Sequence, residues 1–199
     1  MGVWQRLRRP DWLGELQAVL ILGLVLIGGF GVLGLADTLR GGSLTVDVPA
    51  SQVTGALEHD LREGATVAAD QDLAVVIADP DLPQRLTAAL TSVPSVLTVV
   101  AMLALLLRLV RHARRTDPFS HATVRQLLVL AVVAIGGGYL AFLVEALAAL
   151  HLSGLVVADG VFAWVEIPLH WFLIGFGLFA FAEVVRRGCA MRDELETVI

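Results

Sequence analysis

The chain contains no lysine and a single cysteine, and only 17% of its 199 residues are charged. One cysteine cannot form an intramolecular disulfide, and it cannot supply the several thiolates of a structural zinc site. Soluble domains carry roughly one quarter charged residues; here the hydrophobic share is 57% and the mean hydropathy is +0.79. Signatures of chemistry are missing too. There is no phosphate-binding glycine loop, no paired-histidine zinc motif, no nucleophile elbow and no inverted repeat of the transporter type. Ser92 and Ser95 have no evident His–Asp partner. The main arginine cluster lacks the interleaved aromatics of a nucleic-acid site. The chain therefore reads as non-enzymatic, with no cofactor, no metal and no direct binding of nucleic acid expected. All fourteen basic residues are arginine, a usage that fits a GC-rich bacterial genome.

Against these absences stand four long apolar runs. A membrane span needs roughly 20 apolar residues, and the runs fall at residues 16–35, 88–110, 127–150 and 161–185. The first follows Arg6, Arg8 and Arg9, as in a secretory signal. It exceeds the usual apolar core of about 7–15 residues and is read as a retained helix. Gly28, Gly31 and Gly34 repeat along one of its faces, a packing groove for a neighbouring helix. Pro94 is predicted to kink the outer part of the second span, and Pro168 lies in the outer third of the fourth. Gly136, Gly137 and Gly138 at the middle of the third either weaken the helix or admit a close neighbour.

Residues 36–87 form the one long polar segment, with nine acids and three arginines. Leu44-Thr45-Val46-Asp47-Val48 alternates like a strand, and Leu73-Ala74-Val75-Val76-Ile77 is a second strand candidate before an Asp79-Pro80 turn. Residues 51–62 suit a short helix. The expected fold class is all-α transmembrane: a four-helix membrane bundle with a small extracytoplasmic α+β cap between helices 1 and 2.

Arginine placement sets the expected topology. Three arginines precede the first run, five lie between Arg108 and Arg125, and three follow the fourth run, whereas the link 151–160 has none. Arginine-rich short loops stay in the cytoplasm. Segment 1–15, loop 111–126 and tail 186–199 are thus expected on the cytoplasmic side of a bacterial cytoplasmic membrane, with segment 36–87 and link 151–160 outside.

Candidate functional residues fall into two groups. In the loop, Asp117 suits a helix N-cap, Pro118 the first helical position, and Phe119 an interfacial anchor. Arg108, Arg111, Arg114, Arg115 and Arg125 fit either anionic lipid head groups or a protein partner. Met191, Leu195 and Val198 form one apolar face of the tail, with Arg192, Asp193, Glu194 and Glu196 around it. That tail could fold back on the loop or bind a cytosolic protein. Exposed ion pairs supply only about 0–1 kcal/mol each, so the apolar stripe would provide most of the docking energy. Glu183 is expected to pair with Arg186 or Arg187 one turn on.

The second group is intramembrane: Glu145, Glu166 and His170. A charge within a span is costly and needs a partner. Three readings stay open for Glu145 meeting His170 or Glu166: a hydrogen-bonded lock between helices, a proton- or ligand-sensing cluster, or a metal site if His151 joins. Trp164 and Trp171 suit the outer interface, Trp4 and Trp12 the inner one. Cys189 is read as a spectator.

Arg115-Thr116-Asp117-Pro118-Phe119 followed by Val124-Arg125-Gln126-Leu127, together with Ala182-Glu183-Val184-Val185-Arg186-Arg187-Gly188 running into Met191-Arg192-Asp193-Glu194-Leu195-Glu196-Thr197, resembles a bacterial membrane family called domain of unknown function 2975. The order of spans is similar over essentially the whole chain. Thr123 replaces a usual Asn, and the usual Gly before Thr197 is missing. The resemblance implies no settled activity. Some members are similar in context to membrane partners of small helix-turn-helix regulators. The expectation is therefore a signalling component that engages a cytosolic partner through the loop and tail. A transporter or proton-translocating subunit using Glu145, Glu166 and His170 is the alternative, and a membrane enzyme on lipid or cell-wall precursors the third. A homo-oligomer fits any of them.

Overall fold

The computed structural model describes residues 12–49, 72–115, 120–156 and 167–196. The expectations for Trp4, residues 51–62, Asp117, Pro118, Phe119, Trp164, Glu166 and Val198 lie outside these residues, as do those for the side chains of Leu195 and Glu196.

The described chain is helical apart from one two-stranded ribbon. Helix α1 is Trp12–Arg40, strand β1 Leu44–Pro49, strand β2 Asp72–Ile77, helix α2 Leu82–Leu90 and helix α3 Val93–Arg115. Helix α4, His121–Val132, passes through a π-helical turn at Val133–Gly137 into helix α5, Gly138–Val156, and helix α6 is Leu169–Glu196. Four stretches are long and apolar enough to cross a membrane: Trp12–Arg40, Val93–Arg115, His121–Leu155 and Leu169–Glu194. The 29 residues of α1 reach about 44 Å, against a hydrocarbon core of roughly 30 Å. Trp12–Arg40 and His121–Leu155 outrun the expected spans because hydropathy marks only their apolar middles, whereas Val93–Arg115 has the expected length and starts five residues later.

Both prolines singled out in the spans begin helices. Pro94 is the second residue of α3, after a break at Thr91 and Ser92, and Pro168 directly precedes α6. Neither kinks a helix interior, which corrects the kink expected of Pro94. Proline's missing N–H costs nothing in a first turn, where that N–H has no intrahelical acceptor. The start of α4 also differs from expectation. Its N-cap is Ser120, whose hydroxyl oxygen accepts the Thr123 N–H at 3.3 Å, whereas the sequence named Asp117, which lies outside the described residues.

Through its internal contacts the chain divides into two units. One comprises residues 1–30, 96–139 and 168–199, the other 31–95 and 140–167. The first holds two apolar seams. Val124 and Leu127 of α4 pack against Ala182, Val185 and Cys189 of α6, and Leu20 of α1 packs against Leu107 and Val110 of α3. Cys189, read from sequence as a spectator, is only 3% exposed in the first seam. Lipid is as apolar as leucine, so helices associate there through close packing of small residues. Ala131 and Ala134 are fully buried and Ala182 nearly so.

Glycine makes two of the closest approaches. The Trp171 ring lies directly over Gly138, and the Ile135 side chain over Gly175, each in the space a Cβ would need. The glycine triplet thus admits a neighbour, one of the two roles its sequence suggested. At Gly137 the π turn leaves a carbonyl that accepts the Thr98 hydroxyl at 3.3 Å, as irregular backbone in a span requires. Gly28 and Gly34 of the α1 stripe have nothing within 4 Å, so no described residue fills a groove at either position.

The second unit contains the ribbon, α2 and the adjoining parts of α1, α3 and α5. The strands pair antiparallel, from Leu44 opposite Ile77 to Pro49 opposite Asp72, as the alternation predicts. Gly42 at φ 81° turns the chain out of α1, a geometry that favours glycine. The Gln84 side chain accepts the Asp81 N–H at 2.9 Å and closes the start of α2.

Candidate functional site

Within the second unit, the intramembrane carboxylate has a defined partner. Glu145 Oε1 accepts the Ser95 N–H at 2.7 Å, and Oε2 accepts the Ser95 hydroxyl at 2.8 Å. Ser95 is the third residue of α3, so its N–H is one of the four donors that a helix start leaves without an acceptor. A carboxylate there also meets the positive end of the helix dipole. Glu145 is in effect an N-cap delivered from another helix, fifty positions along the chain. Pro94 was the sequence signal for it: proline favours a first helical turn, whose remaining N–H groups need acceptors, and Glu145 carries one within an apolar span. Searching Ser95 for a His–Asp partner missed this.

The opposite pole of α1 is closed in a similar way. Arg85 Nε donates to the Pro80 carbonyl at 3.0 Å, and Nη1 reaches the Leu39 and Gly41 carbonyls at 3.3 and 3.4 Å. These lie where α1 ends, and a cation at that end compensates the helix dipole. Sequence reasoning missed Arg85 because the ribbon alone brings it back to residue 39. Arg85→Ala is expected to cost about 1–2 kcal/mol. It should also raise amide hydrogen exchange in the last turn of α1, with residues 16–30 unchanged; uniform exchange along α1 would contradict the assignment.

A hollow of about 550 Å³ opens in the same unit, lined by Asp37, Arg40, Ser43, Thr45, Thr91 and Ser92 among others. The Thr91 hydroxyl is occupied by the Ala88 carbonyl at 2.7 Å. The Asp37 and Arg40 side chains have no hydrogen-bond partner among the described residues. The hollow therefore offers one acid, one base and free hydroxyls to a small polar solute.

In the first unit, His170 is exposed and its ring lies 5.0 Å from that of Trp171. Trp171 is itself half-buried over Gly138. Among the described residues no group of three or more His, Cys, Asp or Glu is placed to hold a metal.

The arginine-bearing end of this unit is helical up to Arg115. Helix α3 continues through Arg115, so Arg108, Arg111, Arg114 and Arg115 project from a helix, all exposed. Arg114 donates to Gln17 Oε1 of α1 at 2.8 Å, a partner that sequence reasoning did not find. Glu183 pairs with Arg187 at 3.0 Å and also with Arg186 at 2.6 Å, so both expected partners are used. The tail meets segment 111–126 as a continuation of α6, with Cys189 packed against Val124. Helix α6 continues through Arg192, Asp193 and Glu194 to Glu196, and Asp193 approaches His121 at 3.8 Å. Arg125 is exposed on the first turns of α4, and Met191 is 61% exposed near the end of α6.

No curated protein and no solved structure matched the chain. The profile of the family described as Protein of unknown function (DUF2975) matches residues 66–199. That stretch takes in Arg85, Ser95, Glu145, the arginine-bearing helix end and the whole of α6, and it covers well over half of the chain. The protein therefore belongs to this family.

Proposed function

We propose that the protein is a non-enzymatic regulatory component of a bacterial cytoplasmic membrane. The polar hollow receives an extracytoplasmic stimulus, and the end bearing Arg111, Arg114 and Arg115 with the acidic end of α6 engages a cytosolic protein. The observation that carries this reading is the unbroken course of α6 from Leu169 to Glu196. Its first turns are wedged against the π turn region through Trp171 and Gly175, and its later turns pack on Val124 and Leu127. A helix gripped at both levels behaves as one rod, so displacement at the Trp171 level would reach Glu194. Residues of α1, α3 and α5 occur in both units, which supplies covalent routes from the hollow. The family's resemblance in context to partners of small helix-turn-helix regulators supports a partner of that kind.

The transport alternative would require Glu145 to release the Ser95 N–H during each cycle, exposing an orphan donor in a membrane. Photo-crosslinkers placed at positions 115 and 194 in native membranes test the preferred reading. The expected adduct is one small soluble DNA-binding protein at both positions, lost when Arg111, Arg114 and Arg115 become glutamine. Adducts to lipid alone would sink it.

A further inference from the structure

A second, smaller hollow of about 130 Å³ lies between α3 and α4, lined by Leu105, Arg108, Ala122, Arg125, Gln126 and Val129. It holds about four waters' worth of space. Its polarity is graded. Arg108 stands seven residues, about 10 Å, back from Arg115 along α3, and Arg125 is the fifth residue of α4. Both arginines therefore stem from inside their helices, deeper than Arg114 and Arg115. Leu105 and Val129 lie a further turn toward the apolar middle of each helix. Cation at one depth and aliphatic surface one turn below is the profile of a phospholipid: phosphate, then acyl chain. Basic pockets between spans bind anionic head groups in this way.

Two further observations narrow the ligand. Neither guanidinium has a hydrogen-bond or ion-pair partner among the described residues. Gln126 lines the hollow, yet its Oε1 is buried with no hydrogen-bond partner, a state that costs about 1–3 kcal/mol. A turn about the last side-chain bond presents that oxygen to an occupant carrying a hydroxyl donor. An ethanolamine head group would place its ammonium beside two guanidiniums. Phosphatidic acid would leave the amide without a donor from a head-group alcohol.

We propose that Arg108, Arg125 and Gln126 form a site for one anionic phospholipid of the phosphatidylglycerol type. The two guanidiniums hold the phosphodiester, Gln126 accepts a glycerol hydroxyl, and Leu105 and Val129 face the acyl chains. This differs from general attraction of lipid to Arg111, Arg114 and Arg115, because it is stoichiometric and selects among anionic head groups. It is independent of any cytosolic partner.

The test uses the full chain in nanodiscs of phosphatidylcholine doped with phosphatidylglycerol, released into the mass spectrometer after a high-salt wash. One retained phosphatidylglycerol per chain is expected. Arg108→Gln and Arg125→Gln should each weaken retention about tenfold, since hydrogen bonds to charged groups contribute about 1.5–3 kcal/mol. Arg111→Gln with Arg115→Gln should leave it within about twofold, as screened surface charges do. Gln126→Leu should abolish the preference for phosphatidylglycerol over phosphatidic acid. If a glutamine variant fails to fold, Arg108→Lys keeps the charge but loses the planar fork, and reduced retention is again expected. Equal retention of phosphatidylcholine, loss in the salt wash, undiminished retention in the Arg108 and Arg125 variants, or displacement by inorganic phosphate would each overturn the proposal.

Discussion

Glu145→Ala is expected to destabilise the protein by about 2 kcal/mol in detergent unfolding, the largest loss from any single polar side chain in the spans. Two hydrogen bonds to a charged acceptor would be worth about 3–6 kcal/mol by soluble-protein values. Interhelical hydrogen bonds measured in membranes average nearer 0.6 and reach about 1.7 each. The lower scale governs here, because a chain unfolded within detergent or lipid also finds partners. Ser95→Ala removes the hydroxyl but keeps the backbone N–H bond at 2.7 Å, so its cost should be about half as large. Glu145→Gln should cost least. Its carbonyl still accepts the Ser95 N–H and its amide donates to the Ser95 oxygen, leaving only the dipole contribution of about 0.3–1 kcal/mol to be lost. The order alanine, serine variant, glutamine is the signature of a structural cap. If Glu145 instead carried protons, Glu145→Gln would abolish flux in proteoliposomes while stability held. A neutral Glu145→Ala would remove the cap assignment altogether.

Gly175→Ala and Gly138→Ala should each cost about 2–3 kcal/mol, although alanine is the better helix former by about 1 kcal/mol. The added methyl of the first runs into Ile135 and comes within 3.2 Å of the Ala131 carbonyl oxygen. At Gly138 the methyl meets the root of the Trp171 ring, its Cγ and both Cδ atoms, so no swing of a flexible tip relieves it. Gly177→Ala is the internal control: nothing lies within 4 Å of that site, and a gain of up to about 1 kcal/mol is expected. Thermal unfolding of the three variants in one detergent decides it. A gain at Gly175 and Gly138 as well would mean that α6 does not pack closely on the π turn region. Under the proposed function the same two variants should also uncouple the hollow from the cytosolic partner, since both loosen the grip on α6.

The arginine-bearing end shows how local reading and tertiary structure divided the work. That Glu183 would pair one turn on was legible, because i,i+3 and i,i+4 geometry is local to a helix. That Arg114 would meet Gln17, ninety-seven positions away, was not. The cap at α4 was missed: the sequence pointed to Asp117, and the Ser120 hydroxyl, three residues on, takes the Thr123 N–H.

The number of spans, the polar segment after the first and the two strands were all determined by the sequence itself. Each depends on the transfer free energy or backbone freedom of a contiguous stretch, which neighbouring residues carry among themselves. The partner of Glu145, the triple closure by Arg85, and the difference between Gly175 and Gly177 were decided only in three dimensions. They depend on the rotation of each helix about its axis and on its depth relative to its neighbour. A hydropathy pattern is nearly silent on rotation when helices are apolar all round, as the chain's spans are. Packing of small residues and the few polar groups in the spans set that rotation, and they do so between residues dozens of positions apart.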